Sequence, residues 1–200
     1  PFSDTISFTI ERGRAHFPLY LRIPTWTQKA EVWVNGQRMD TPPVAGKYYV
    51  ISRDWNRGDR VVLHLPMRLT ARRWSLNKNS VSVNYGPLTL SLKIRERYVK
   101  CDSRKTAIGE SRWQAGADAS LWPTTEIYPE SPWNYALVEG GSLLRGIRLT
   151  RKPWPADDFP FTLQSVPLEF SALARRVPLW TIDEYGLCSV LPDEDAAKSP

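Results

Sequence analysis

The feature that most constrains this chain is a period-two alternation of apolar and polar residues, broken at short intervals by turn formers. Ile6, Phe8 and Ile10 share one parity, as do Leu19, Leu21 and Ile23, then Ala30, Val32 and Val34, then Val61, Leu63 and Leu65. Successive side chains of a strand point to opposite faces, so each set lines one half-buried face. Asn35-Gly36 follows the third set and is the dipeptide that best tolerates the positive φ angles of a two-residue hairpin, so a return strand begins near Gln37. Pro42-Pro43 and Gly46 make a loop, Lys47 to Ser52 reads as a strand, and Arg53 to Asp59 carries turn chemistry closed by Gly58. Pro66 has no ladder donor and stops the strand before it. Ser80–Val83 and Leu88–Ile94 complete a set of about eight short strands, the pattern of a sandwich or jelly roll.

Helix signals are nearly absent from this half. The fold expected is all-β, with two consecutive jelly-roll-like β-sandwich domains at 1–95 and 96–200. The boundary is placed where charged residues replace alternation, from Arg95 to Arg104. Beyond it, Trp113 to Pro132 reads as a long ordered loop pinned by aromatic anchors. Strands are expected at Asn134–Val138, Leu143–Thr150, Phe161–Leu163, Leu168–Phe170 and Gly186–Leu191. Ser171 to Val177 reads as a turn of helix or a strand edge, and the polar stretch from Asp193 to Pro200 as a mobile tail. Pro1-Phe2 leads almost directly into strand-like Thr5–Ile10, as expected of a piece of a longer polypeptide.

A length of 200 residues allows a real core in either one large or two smaller domains. The 9 Trp and 17 Pro stand out: Trp suits sandwich cores and sugar-stacking surfaces alike, and Pro blocks long helices. A net charge of +6 would suit a polyanion only if the basic residues clustered. They do not, since Arg72-Arg73, Arg95 to Lys100 and Arg175-Arg176 are each flanked by apolar residues. Neither nucleic acid nor a membrane is expected as a partner. No stretch approaches the roughly 18 apolar residues of a membrane helix.

Candidate chemistry is sparse. Acid/base work on a glycosidic bond needs two carboxylates roughly 5 to 10 Å apart across a cleft. The local pairs, Asp54 with Asp59, Asp157 with Asp158 and Asp183 with Glu184, lie in turn-rich sequence and are read as turn formers. No Gly-x-Ser-x-Gly elbow occurs. His64 falls on the polar face of its strand, where an exposed or edge position is expected, and His16 reads as a loop residue. Cys101 and Cys188 have no metal-ligand spacing and are read as free buried thiols, with a disulfide the alternative. Gly140-Gly141 and Gly146 fit no phosphate-binding pattern. No catalytic residue, metal ligand or cofactor is assigned. Sugar binding needs no motif, because aromatic faces stack on sugar rings while amides and guanidinium groups bond the hydroxyls. The candidate binding residues are Trp122, Tyr128, Trp133, Asn134 and Tyr135. The plainer reading, that these aromatics pack a loop onto its own sandwich, is favoured because large aromatics are more often buried than displayed.

Phe17-Pro-Leu-Tyr-Leu-Arg-Ile-Pro-Thr-Trp26, Val34-Asn-Gly36, Tyr49 to Pro66 with its Asp54-Trp-Asn-Arg-Gly-Asp59 core, and Tyr85-Gly-Pro-Leu88 resemble the region after the catalytic barrel in glycoside hydrolase family 127. Ser131-Pro-Trp-Asn-Tyr-Ala-Leu137 resembles a segment of that family's larger members. The family contains β-L-arabinofuranosidases. The resemblance implies an (α/α)6 barrel followed by two β-sandwiches, with a catalytic Glu, a cysteine nucleophile and zinc all upstream of this chain. Neither Cys101 nor Cys188 matches those positions. It also implies that this chain enters the first sandwich late and stops before the last strand of the second. The function expected is that of an accessory region that supports its own absent barrel and contributes homodimer contacts. The alternative is a carbohydrate-binding module for arabinose-containing glycans of the plant type.

Overall fold

The computed structural model describes residues 1–102, 118, 120–138, 143–184 and 186–193. Its strands run β1 Thr5–Thr9, β2 Arg14–Arg22, β3 Glu31–Val34, β4 Gln37–Arg38, β5 Tyr48–Asn56, β6 Arg60–His64, β7 Leu69–Trp74, β8 Ser80–Tyr85 and β9 Leu88–Thr89. They continue as β10 Glu96–Cys101, β11 Thr124–Pro129, β12 Tyr135–Leu137, β13 Arg148–Arg151, β14 Leu168–Ser171 and β15 Ala174–Arg176. One 3₁₀ turn, Ser75–Asn77, is the only helical element among the described residues. The protein is all-β, and every strand pairing among the described residues is antiparallel.

Two compact units divide the chain, one of Pro1–Leu90 with Val138–Leu173, the other of Ser91–Leu137 with Ala174–Pro200. The sequence placed a single cut between 95 and 96.

In the first unit, β1-β6-β3-β4 form one sheet and β2-β5 a second. Alternation decides which residues meet between them. Leu21, Ile23, Tyr49, Ile51 and Trp55 from the region of the second sheet join Val32, Val34, Val61, Leu63 and Leu65 from the first in one buried cluster. Burying each such side chain is worth about 1.5–3 kcal/mol against leaving it exposed, so this cluster dominates the unit's stability. Trp55 sits at its centre, fully buried, with Nε1 donating to the Phe17 carbonyl at 2.9 Å. The hairpin forms as expected, with Asn35 at φ 51° and Gly36 at φ 82° between the paired residues Val34 and Gln37.

The expected turn at Arg53–Asp59 is corrected. Strand β5 continues through Asp54-Trp55-Asn56, because burying Trp55 extends the apolar face of Tyr49 and Ile51, and the turn is confined to the residues before Arg60. Strand β7 was not expected, since Leu-Thr-Ala-Arg-Arg-Trp has no apolar alternation. It is held by pairing with β8 and by the Arg72 guanidinium 3.7 Å from the Trp74 ring centroid. The strand expected at Leu88–Ile94 stops at Thr89. The unit's last hairpin pairs β13 with β14, so the strand expected from Leu143 begins only at Arg148, after a turn, and Phe161–Leu163 forms none.

In the second unit β10 pairs with β11 and β12 with β15. The charged stretch after Arg95 is therefore a strand, and so is Thr124–Pro129, which was expected to be loop. Both carry β-branched or aromatic residues, Tyr98 and Val99 in β10 and Thr124, Thr125, Ile127 and Tyr128 in β11, but without alternation, and it is backbone pairing rather than an apolar face that fixes them. Ser171–Val177 resolves into the strand edge, whereas Gly186–Leu191 contributes only the isolated bridge of Cys188 to Ile182. Trp113, Gly140-Gly141 and the tail from 194 to 200 lie outside the described residues.

Candidate functional site

A cleft of about 550 Å³ opens in the second unit, built from the segment preceding β12 and the segment following β15. The Tyr135–Arg176 pairing brings these two stretches side by side. Asn134 then ties them together from within. It is buried, its Nδ2 donates to the Val177 carbonyl at 3.1 Å and the Trp180 carbonyl at 3.0 Å, and its own carbonyl accepts the Val177 N–H at 2.8 Å. These bonds stand Trp133 and Trp180 edge to face on one wall, with ring centroids 4.9 Å apart and planes at 72°. Glu130, Ser131, Arg176 and Thr181 supply its polar atoms. Ser131 is fixed by accepting the Arg95 N–H on its hydroxyl at 2.9 Å. The Trp180 indole N–H is covered and finds no acceptor among the described residues, an arrangement that costs about 1–3 kcal/mol unless another group satisfies it.

Of the five aromatic and amide residues selected from sequence, the structure brings Trp133 and Asn134 to this cleft. Tyr135 is half-buried in β12 beside it. Trp122 is exposed before β11, and Tyr128 lies on β11 under the Arg97 guanidinium, 4.8 Å from its ring centroid. Tyr128 also donates its hydroxyl to Glu126, which raises its pKa above the usual tyrosine range. Sequence reasoning missed Trp180 and Arg176. The Arg175-Arg176 pair was noted for charge, but nothing local shows that it pairs with Tyr135 across the unit.

Both histidines are corrected. His16 is in β2, not a loop, and its ring bridges Asp54 Oδ1 at 3.1 Å from Nδ1 and Ser52 Oγ at 3.3 Å from Nε2. Hydroxyl, imidazole and carboxylate in that order have the connectivity of a nucleophilic triad. Here the serine contact is longer than the roughly 2.6–3.2 Å an activated nucleophile needs. The His16 and Asp54 side chains are 63% and 58% exposed, so solvent screens the pair, and the three residues form a cross-strand surface network. His64 lies on β6, between β1 and β3 rather than at an edge, with Asp4 at 3.4 Å and Glu31 at 3.8 Å.

Asp59 is a turn device. Its carboxylate accepts the Asn56 N–H at 2.9 Å and the Asn35 amide at 2.8 Å, and these bonds, the backbone one foremost, hold its pKa below the usual carboxylate range. Asn35 Oδ1 in turn accepts the Arg60 N–H at 2.8 Å, so the two turns are knotted together. Cys101 is half-buried and Cys188 is exposed, and both are free, which corrects the expectation that both are buried. Burial, then the Glu126 carboxylate, raises the pKa of the Cys101 thiol. Among the described residues no group of three or more His, Cys, Asp or Glu is arranged to hold a metal ion.

The family model for the beta-L-arabinofuranosidase GH127 middle domain matches residues 1–67. Residues 1–67 are similar to that middle domain, and the match covers about a third of the chain. Every residue of the first unit's buried cluster lies inside that match, and so do Asn35, Gly36, Trp55 and Asp59. Two solved structures resemble the chain. One, described as a glycoside hydrolase, is 27% identical over 50% of this chain and 16% of its own, with a TM-score of 0.42. The other, a GH127 beta-L-arabinofuranosidase from Geobacillus stearothermophilus T6, is 23% identical over 64% of this chain and 25% of its own, with a TM-score of 0.40. The chain thus spans a quarter or less of the length of these two proteins. No curated protein matches it.

Proposed function

We propose that this chain is a non-catalytic accessory region of a glycoside hydrolase resembling the β-L-arabinofuranosidases, a β-sandwich scaffold for an (α/α)6 catalytic barrel and a contributor to homodimer contacts. The observation that carries this reading is how the matched GH127 residues are used. Trp55 fills the core, Asn35 and Gly36 close a hairpin, and Asp59 knots that hairpin to the neighbouring turn. A segment whose family-matched residues are occupied in packing and turns supports a site held elsewhere. Zinc, a catalytic Glu and a cysteine nucleophile belong to the barrel in this reading, and no step of the reaction is assigned to the present chain.

The test is an assay of this chain on an aryl β-L-arabinofuranoside, alone and mixed with the separately produced barrel of the same protein. No turnover by the chain alone and stabilisation of the barrel on mixing are expected. Turnover by the chain alone that survives chelation and the Cys101→Ala and Cys188→Ala substitutions would overturn the proposal.

A further inference from the structure

The open cleft of the second unit places two tryptophans beside an acid and a base that have no ion-pair partner among the described residues. We infer that it is a subsite for a ring of a neutral oligosaccharide. Its volume of about 550 Å³ falls within the roughly 300–1,000 Å³ of small-molecule sites. Trp133 and Trp180 give it an aromatic wall, and Pro129, Pro132 and Pro178 extend its apolar lining. Such surfaces suit the C–H faces of a sugar.

The charges decide between ligand classes. One carboxylate, Glu130, and one guanidinium, Arg176, line the cleft, so their formal charges cancel. Neither makes an ion pair among the described residues, which leaves an acceptor and a multiple donor available to hydroxyl groups. A site for a phosphate or a polyanion would carry an excess of donors with positive charge. A site for a purely apolar ligand would not place an acid and a base beside two indoles, because each would have to be desolvated without a partner. Hydroxyls satisfy both.

The walls are also preformed. Asn134 holds the Trp180 segment through two side-chain bonds, and the β12–β15 pairing fixes Arg176 opposite Tyr135. A ligand entering such a cleft orders little of the protein, which preserves affinity.

The inference stands independently of the accessory-domain reading, since it concerns binding by this chain and not turnover by a barrel. The test is a titration of the full chain with arabinotriose and, separately, xylotriose, followed by the indole N–H resonances in two-dimensional NMR. The Trp133 and Trp180 signals should shift together and saturably, and that of Trp122, which lies outside the cleft, should not. Arg176→Gln, a surface change that leaves the β12–β15 backbone pairing intact, should weaken binding about tenfold, and Trp133→Ala by at least as much. Binding of either sugar with these shifts supports the subsite and says which ring it prefers. Unmoved Trp133 and Trp180 signals at about 10 mM of both sugars, or full affinity in Arg176→Gln and Trp133→Ala, overturns it.

Discussion

Trp55→Phe tests the claim that the matched family segment is a packing device. Trp55 has no exposed surface, and its indole N–H donates at 2.9 Å to the Phe17 carbonyl. Phenylalanine keeps a ring but removes that donor, and the partly buried acceptor left behind costs about 1–3 kcal/mol. The smaller ring also gives up apolar contact, at about 0.8 kcal/mol per buried methylene equivalent. Together these put the loss at about 2–4 kcal/mol, and Trp55→Ala should reach the upper end of the 3–5 kcal/mol range for emptying such a site. Because the chain has two units, a global signal would mix two transitions. Urea dependence of hydrogen exchange at Leu21, Ile51 and Val61 reads the first unit alone. The expected result is an earlier loss of protection there with an unchanged slope against urea. A loss below about 0.5 kcal/mol for Trp55→Phe, or an alanine variant no worse than the phenylalanine one, would refute the reasoning.

Two further outcomes follow from polar groups. The folded-state pKa of Asp59 is lowered, so the stability it contributes is present above its unfolded value near 3.9 and is lost as pH falls through its folded value. Asp59→Asn should therefore flatten the acid side of the first unit's stability profile relative to wild type, and a stability difference between the two that is constant from pH 7 to strongly acid conditions would contradict this. Asn134→Ala removes both side-chain bonds to the Val177 and Trp180 carbonyls, and should destabilise the second unit by about 2 kcal/mol. Exchange at Ala136 and Arg176 would report it, and protection equal to wild type would show that the amide is not the tie described.

What was legible in the sequence is what period two and turn chemistry encode. Val61, Leu63 and Leu65 alternate because one face of their strand is buried and the other is not, and Asn35-Gly36 marks its hairpin because few other pairs accept two positive φ angles. Both signals are local. Trp55 was misread because its neighbours Asp54, Asn56 and Gly58 are turn formers, while the choice between strand and turn was made by burial of the indole in the core cluster and by its bond to the Phe17 carbonyl. His16 was misplaced for a similar reason, since the strand that holds it is defined by its partner β5 and not by its own pattern.

The second unit was harder to read because it is held differently. Among its described residues Val177 and Asn134 are the buried ones, so little apolar alternation exists to be seen. Its order comes from backbone ladders and from one amide that bonds two carbonyls across a long sequence gap, and composition does not announce pairings of that kind. The same fact bears on the cleft. Where a large apolar core fixes a wall, removing one polar bond changes little at the surface, but here the positions of Trp133 and Trp180 depend on the Asn134 tie itself. A ligand that bridges the two tryptophans would bind only the tied form, and so should protect the β12–β15 pairing from exchange as it saturates the cleft.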